Sequence, residues 1–167
     1  MFEDDNLHGT KGENIAKRYL IERQGAVRVF SMEGLVFPAF DLISVFQRGK
    51  VKLIEVKVDN REHETHNVAI EYLHAGRFSG ILSSEADWYI FILKDKLICM
   101  KKRDLFHFLK DGDFDERDWN GDKSQIFLVP TDQLVSAVDE NNKLICDVWY
   151  YNKQEEHKKI GYLHEIV

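Results

Sequence analysis

The chain is 167 residues long, 44% hydrophobic and 31% charged, with two prolines and a formal charge of −6. Those proportions describe a single domain large enough to bury a core, and they exclude disorder as its main state. The longest purely apolar run, Trp88 to Leu93, is far short of the roughly 20 residues of a membrane-crossing helix, so no membrane partner is expected.

Met1-Phe2-Glu3-Asp4-Asp5 is acidic and lacks the basic and then apolar order of a secretory signal. Cys99 and Cys146 each lie in an apolar run and neither belongs to a CxxC pair, so neither a disulfide framework nor a thiolate zinc site is indicated. Both features set the expectation of a cytoplasmic protein. Charge is unevenly spread: residues 6–57 carry nine Lys/Arg against five Asp/Glu, whereas residues 58–167 carry 14 against 21. A nucleic-acid surface is therefore expected on the first third, with Lys101-Lys102-Arg103 as a later addition.

In chain order, Thr10 with Glu13 three residues on is a capping-box pattern, and Ile15, Ala16, Tyr19 and Leu20 repeat at helical spacing, so Thr10 to Gln24 is read as a helix stopped by Gly25. Ala26 to Ser31, Phe40 to Phe46 and Val51 to Asp59 are rich in β-branched and aromatic residues and read as strands. Glu33-Gly34 and Phe37-Pro38 punctuate the first connection, and Gln47-Arg48-Gly49 makes a tight hairpin of the second. Asn60 to Asn67 reads as a polar loop, Val68 to Leu73 as a half-buried strand and Gly76 to Ser84 as turns. Trp88 to Leu93 and Leu97 to Met100 form another strand pair, followed by a short helix, Arg103 to Lys110. Asp111 to Asp122 reads as an acidic loop, Ile126 to Val129 as a strand, Thr131 to Val138 as a helix capped by Thr131, and Leu144 to Tyr151 as a last strand. The whole is one α/β domain, with residues 101–167 completing the fold or forming an oligomer contact.

The informative stretch is the hairpin from Phe40 to Lys57. Strand alternation puts Glu55 and Lys57 on one face, with Ile54, Val56 and Val58 on the other. A three-residue loop with Gly49 in the left-handed position pairs Phe46 with Lys50 and brings Asp41 opposite Glu55, β-carbons about 4.5–5.5 Å apart. A two-residue turn flips Asp41 away. Two facing carboxylates need a cation, and Mg²⁺ favours hard oxygens, here Asp41, Glu55 and the Val56 carbonyl, while keeping positions for water and phosphate oxygen. Mn²⁺ would substitute. With Lys57 beside the attacking water, the set suits phosphodiester hydrolysis.

The order of helix, strand, Asp-bearing strand, tight hairpin and Glu-x-Lys strand over about residues 9–93 resembles the core of the PD-(D/E)XK nuclease superfamily, which includes restriction-type endonucleases and Holliday junction resolvases. The resemblance implies a restriction-endonuclease-like αβββαβ core, a central mixed β-sheet flanked by helices with added carboxyl-terminal strands and helix. It implies Asp41, Glu55 and Lys57 as the catalytic set. Gly12-Glu13-x-x-Ala16-x-x-x-Leu20 is similar to the first helix of the resolvase-like branch, which adds Glu13 to that set. One departure is Phe40 before Asp41, with Pro38 displaced, where the family carries a Pro-Asp dipeptide. The stretches Asn67 to Tyr72, Gly76 to Ile81 and Ala86 to Tyr89 resemble small phage and bacterial nucleases of this type, making Glu71 and Ser79 secondary site candidates. The implied protein is a Mg²⁺-dependent DNA endonuclease, acting on branched or junction DNA in the resolvase-like case, in the host cytoplasm if phage-encoded. It is expected to assemble as a homodimer or larger homo-oligomer, with Lys11, Arg48, Arg61, His63, Arg77 and Ser79 as nucleic-acid contacts. The competing readings are a non-catalytic DNA-binding or assembly module of the same fold, and an interaction protein whose acidic two thirds bind a basic partner.

Other signals carry less. Glu62-His63-Glu64-Thr65-His66 lacks HExxH spacing and reads as a solvated loop. The run from Asp111 to Asp122 echoes a calcium loop, but Glu116 sits where the turn needs Gly. There is no Gly-rich phosphate cradle and no nucleophile elbow. Trp119, Trp149, Tyr150 and Tyr151 are candidates for core packing, base stacking or an oligomer contact.

Overall fold

Helix α1 (Phe2–Glu22) opens the chain in the computed structural model, which describes residues 2–32, 39–119, 121 and 123–151, with side chains from residue 10 onward. The Glu33-Gly34 and Phe37-Pro38 turn signals and Asp122 lie outside the described residues. The helix starts eight residues before the expected Thr10. No proline interrupts the segment. The expected capping box is thus inside the helix, and Glu13 instead accepts a hydrogen bond from the Ser31 hydroxyl.

The strands are β1 (Ala26–Ser31), β2 (Leu42–Phe46), β3 (Val51–Val58), β4 (Asn67–His74), β5 (Arg77–Phe78), β6 (Trp88–Ile92), β7 (Leu97–Lys101), β8 (Asp115–Trp119), β9 (Ser124–Pro130) and β10 (Cys146–Trp149). The remaining helices are α2 (Glu62–Thr65), α3 (Lys102–Asp111) and α4 (Thr131–Val135). A six-stranded sheet runs in the order β1-β2-β3-β6-β7-β10, and a four-stranded sheet in the order β5-β4-β9-β8. The larger sheet is mixed, because β3 and β6 are parallel and its other neighbours antiparallel. The chain is therefore α/β, with a central mixed sheet flanked by helices.

Two cores follow from strand alternation. On one face of the six-stranded sheet, Ala16, Tyr19 and Leu20 of α1 pack with Leu42, Ile54, Ile90 and Trp149. Full burial of each large apolar side chain here contributes about 1.5–3 kcal/mol. Helix α1 sits close enough that a Cβ on Gly12 would lie 2.3 Å from Val58 Cγ2. On the other face, Tyr89, Phe91, Ile98 and Met100 pack with Val68, Ile70 and Val129 of the smaller sheet and with Leu105 of α3 and Leu134 of α4. Ile54, Val56 and Val58 turn toward α1, and Leu53 toward the second sheet. Glu55 and Lys57, alternating with the former, share the Leu53 face.

Several expectations are corrected. The implied αβββαβ core puts a helix in the crossover from β3 to β6, but the chain supplies one helical turn, α2, and then the β4–β5 hairpin. Val68 and Ile70 are buried around an exposed Ala69, the period of a strand rather than of a helical face, and left-handed His66 (φ 56) ends α2 after one turn. The expected loop at 60–67 thus contains α2. The expected acidic loop at 111–122 contains β8, an edge strand whose charged sequence hides its alternation and suits an unpaired edge. Thr131 lies inside α4 rather than capping it, and its buried hydroxyl has no partner. Residues 101–151 complete both sheets, since β8 and β9 join the smaller one and β10 extends the larger. Trp149 and Tyr151 are buried, whereas Trp119 and Tyr150 are exposed. No helix among the described residues is long and apolar enough to cross a membrane.

Candidate active site

The hairpin turn decides the register. Gln47–Gly49 fold tightly, with Arg48 (φ 61) and Gly49 (φ 71) both left-handed, and the Phe46 N–H donates to the Lys50 carbonyl over 2.8 Å. The ladder then pairs Val45 with Val51 and Leu42 with Ile54. The ladder ends at that pair, and Asp41, just before β2, is set beside Glu55 by its bonds to Ile54 and Val56, the residues on either side of it.

Asp41 is tied down on both sides. Its N–H donates to the Ile54 carbonyl (2.9 Å), its carbonyl accepts from Met32 N–H (3.0 Å) and its Oδ2 accepts from Val56 N–H (2.7 Å). Glu55 is only 8% exposed. Its Oε1 lies 2.6 Å from Lys57 Nζ, and its Oε2 has a longer contact, 3.5 Å, with the Ser84 hydroxyl. Burial pushes the Glu55 carboxyl above its ordinary range; the Lys57 ammonium pulls it part of the way back, and Asp41 adds to the rise. Burial also works against the Lys57 charge, but Glu55, Asp41 and Glu71 together outweigh it and hold the proton above the ordinary lysine range.

The second sheet brings its own carboxylate. Glu71 on β4 accepts from the Ser79 hydroxyl (2.5 Å) and acts electrostatically on Lys57. Gly80 (φ +48) permits this approach, because a Cβ there would lie 2.0 Å from the Glu71 carbonyl oxygen. Glu71 and Ser79 are thus brought beside the cluster as a bonded pair. Glu13 is held by Ser31, the residue paired with Leu42 next to Asp41.

The expected nucleic-acid contacts are scattered. Lys11 is exposed on α1, Arg77 is exposed on β5, and His63 on α2 lies 3.7 Å from Glu64. The Arg61 guanidinium covers the Trp119 ring at 5.6 Å. Arg48 stands at the hairpin turn, roughly 20 Å along the strand from Asp41 at about 3.3 Å per residue. Ser79 is the member of that group tied to the cluster, through Glu71. Of the basic triplet, Lys102 donates to the Ser84 carbonyl, while Lys101 is exposed and Arg103 pairs at the surface with Asp104 at 3.2 Å.

Two residues at the cluster were not foreseen. Ser84 is buried, donates to the Ala39 carbonyl and accepts from Ala86 N–H, both at 3.1 Å. Tyr89 is paired with Glu55 in the parallel register of β3 and β6. Sequence holds no local signal for either, because a parallel neighbour and a returning turn are fixed by topology alone. A cleft of about 970 Å³ beside β7 and β10, lined by Tyr19, His107 and Asp147 among others, includes none of the cluster residues.

The donor set has the chemistry of a hard-cation site: two carboxylates near enough for Asp41 to raise the Glu55 proton affinity, and the adjacent Val56 carbonyl. Among the described residues no group of three or more His, Cys, Asp or Glu side chains is gathered for a metal, so backbone and water oxygens would complete the shell. Mg²⁺ keeps several waters in such sites. No protein-family model, no curated protein and no solved structure matches the chain.

Proposed function

We propose that the protein is a Mg²⁺-dependent nuclease that hydrolyses DNA phosphodiester bonds, with Asp41, Glu55 and the Val56 carbonyl holding the metal. The observation that supports this reading is that the Asp41 carboxylate accepts from Val56 N–H over 2.7 Å while its neighbour in β3, Glu55, has Lys57 Nζ 2.6 Å from its carboxylate. A bound divalent cation supplies a Lewis acid for the phosphoryl oxygen and acidifies a coordinated water. Asp41 presents Oδ1 while Val56 N–H fixes Oδ2. Lys57, released from Glu55, turns its ammonium to the attacking water and offsets charge developing on the phosphate. Glu71, held by Ser79, keeps Lys57 protonated for that task, and Glu13 is a supporting carboxylate on α1.

The same reading treats the fold as a variant of the restriction-endonuclease-like core, supported by the order α1, β1, β2, β3 and by a β6 that runs parallel to β3. Endonucleolytic action on branched DNA by a homo-oligomer is the specific form proposed. The test is cleavage of circular plasmid and of labelled branched and linear DNA with Mg²⁺, Mn²⁺ or EDTA, comparing wild type with Glu55→Gln and Lys57→Ala. Metal-dependent cutting lost in both folded variants supports the proposal. Equal cutting by the variants, or none by the wild type, refutes it and favours the non-catalytic binding module.

A further inference from the structure

We infer that the Tyr89 hydroxyl is a positioning group for Glu55, donating a hydrogen bond to its carboxylate when a divalent cation is held by Asp41 and Glu55. The inference rests on the metal-site reading above and adds to it a residue from outside the hairpin.

Tyr89 stands beside Glu55 in the parallel register of β3 and β6, so both side chains leave the same face of the sheet. It is 1% exposed, and its hydroxyl oxygen is buried with no hydrogen-bond partner. An unpaired buried hydroxyl is costly and uncommon in folded proteins, and a missing water or ion is one standard reason for it. Burial, then the Glu55 and Asp41 charges, hold the proton on this hydroxyl, and the neighbouring Ser84 hydroxyl works against them as a hydrogen-bonding group. It is therefore a buried donor whose nearest polar neighbour, Ser84, does not hold it in a hydrogen bond of good geometry.

Glu55 has the complementary deficit. Lys57 satisfies Oε1 at 2.6 Å, but Oε2 receives only the 3.5 Å contact from Ser84. The single Ser84 proton is directed to the nearer Ala39 carbonyl at 3.1 Å. While Lys57 clamps Oε1, the carboxylate is turned away from an ideal partner for its second oxygen. A cation that takes Oε1 from Lys57 frees the group to turn, and Tyr89 is the buried donor waiting on its face. A donor there also offsets the burial that resists the ionised carboxylate needed for metal binding.

The substitution Tyr89→Phe separates this role from a packing role, because it removes only the hydroxyl. If the oxygen has no partner without metal, its removal leaves the metal-free fold equally or more stable. Calorimetric titration of Mn²⁺ and Mg²⁺ into the full chain, without nucleic acid, is compared for wild type, Tyr89→Phe and Asp41→Asn, alongside metal-free melting temperatures. The expected result is metal binding by wild type, binding weakened about 10- to 100-fold in Tyr89→Phe, loss in Asp41→Asn, and a metal-free melting temperature for Tyr89→Phe no lower than wild type. Equal affinity in wild type and Tyr89→Phe, or a lowered metal-free melting temperature, overturns the Tyr89 role and leaves the metal site standing. No binding by wild type overturns the site and the inference together.

Discussion

Lys57 Nζ and Glu55 Oε1 lie 2.6 Å apart on one face of β3, the carboxylate buried and the ammonium 46% exposed. The asymmetry matters, because the two charges do not lose the same amount when the pair is broken. Without Lys57 a carboxylate is left uncompensated in the interior, whereas without Glu55 the ammonium still reaches water.

Lys57→Met is therefore expected to destabilise the fold more than Glu55→Gln does. Its cost should be about 1–2 kcal/mol, below the 3–5 of a fully buried pair because Lys57 is half in solvent. Urea denaturation at pH 7 reads the difference. Cleavage should fall by about 10²- to 10³-fold, the scale of removing one charge-stabilising group.

The raised Glu55 carboxyl gives a signed pH dependence. Its folded-state proton is held more tightly than in the unfolded chain, so this group stabilises the fold most below the ordinary value of 4.5. That contribution is lost as pH rises through the raised folded-state value. Stability of Glu55→Gln relative to wild type should then grow from pH 4.5 upward and level off, while Mn²⁺ affinity of the wild type rises over the same interval. Denaturant midpoints and metal titrations from pH 4 to 8 test both trends; a pH-independent difference would show that burial does not govern this group.

Asp41 holds Val56 N–H with the same carboxylate that the proposed function gives to the metal. Asp41→Asn keeps an acceptor for Val56 N–H and should change stability by less than about 0.5 kcal/mol, yet abolish metal binding and cleavage. Asp41→Ala leaves that N–H unpaired and should cost about 1–3 kcal/mol. Chemical denaturation beside the plasmid assay separates the two losses.

Gly80 and Gly76 share a left-handed backbone but not the same surroundings. A Cβ at Gly80 meets the Glu71 carbonyl at 2.0 Å, and one at Gly76 (φ +72) meets nothing within 4 Å. Gly76→Ala should cost about 1–2 kcal/mol for backbone strain alone, and Gly80→Ala about 2–4 kcal/mol once the clash is added. Only Gly80→Ala should also reduce cleavage, because it displaces Ser79 from Glu71. Equal costs for the two would exclude the close approach as the reason for glycine at 80.

The hairpin was legible in the sequence because its information is local. Gly49 sets the turn, the turn sets the register, and the ladder it sets ends at Leu42 and Ile54, the residues next to Asp41 and Glu55. Ser84 and Tyr89 were not legible because they reach Glu55 through tertiary contacts made 29 and 34 residues downstream, and no periodicity encodes a parallel neighbour. Strand β8 was hidden for a different reason: its exposed, charged sequence has no apolar face to reveal a period of two. The start of α1 was misplaced because a capping-box pattern also occurs by chance inside a helix, where Thr10 and Glu13 stand.

The Tyr19 hydroxyl donates to Asp147 over 2.7 Å, and its ring packs on Trp149 at 5.8 Å between centroids. The first helix is thus joined to the last strand of the larger sheet across most of the described chain. During synthesis a ribosome would expose Asp41, Glu55 and Lys57 well before it exposes β10, so α1 could dock fully only after Trp149 has emerged. Such long-range closure is slow compared with local pairing. The setting of Asp41, Glu55 and Lys57 in the sheet beneath α1 would then be completed late, once β10 has taken its place at the edge of the larger sheet.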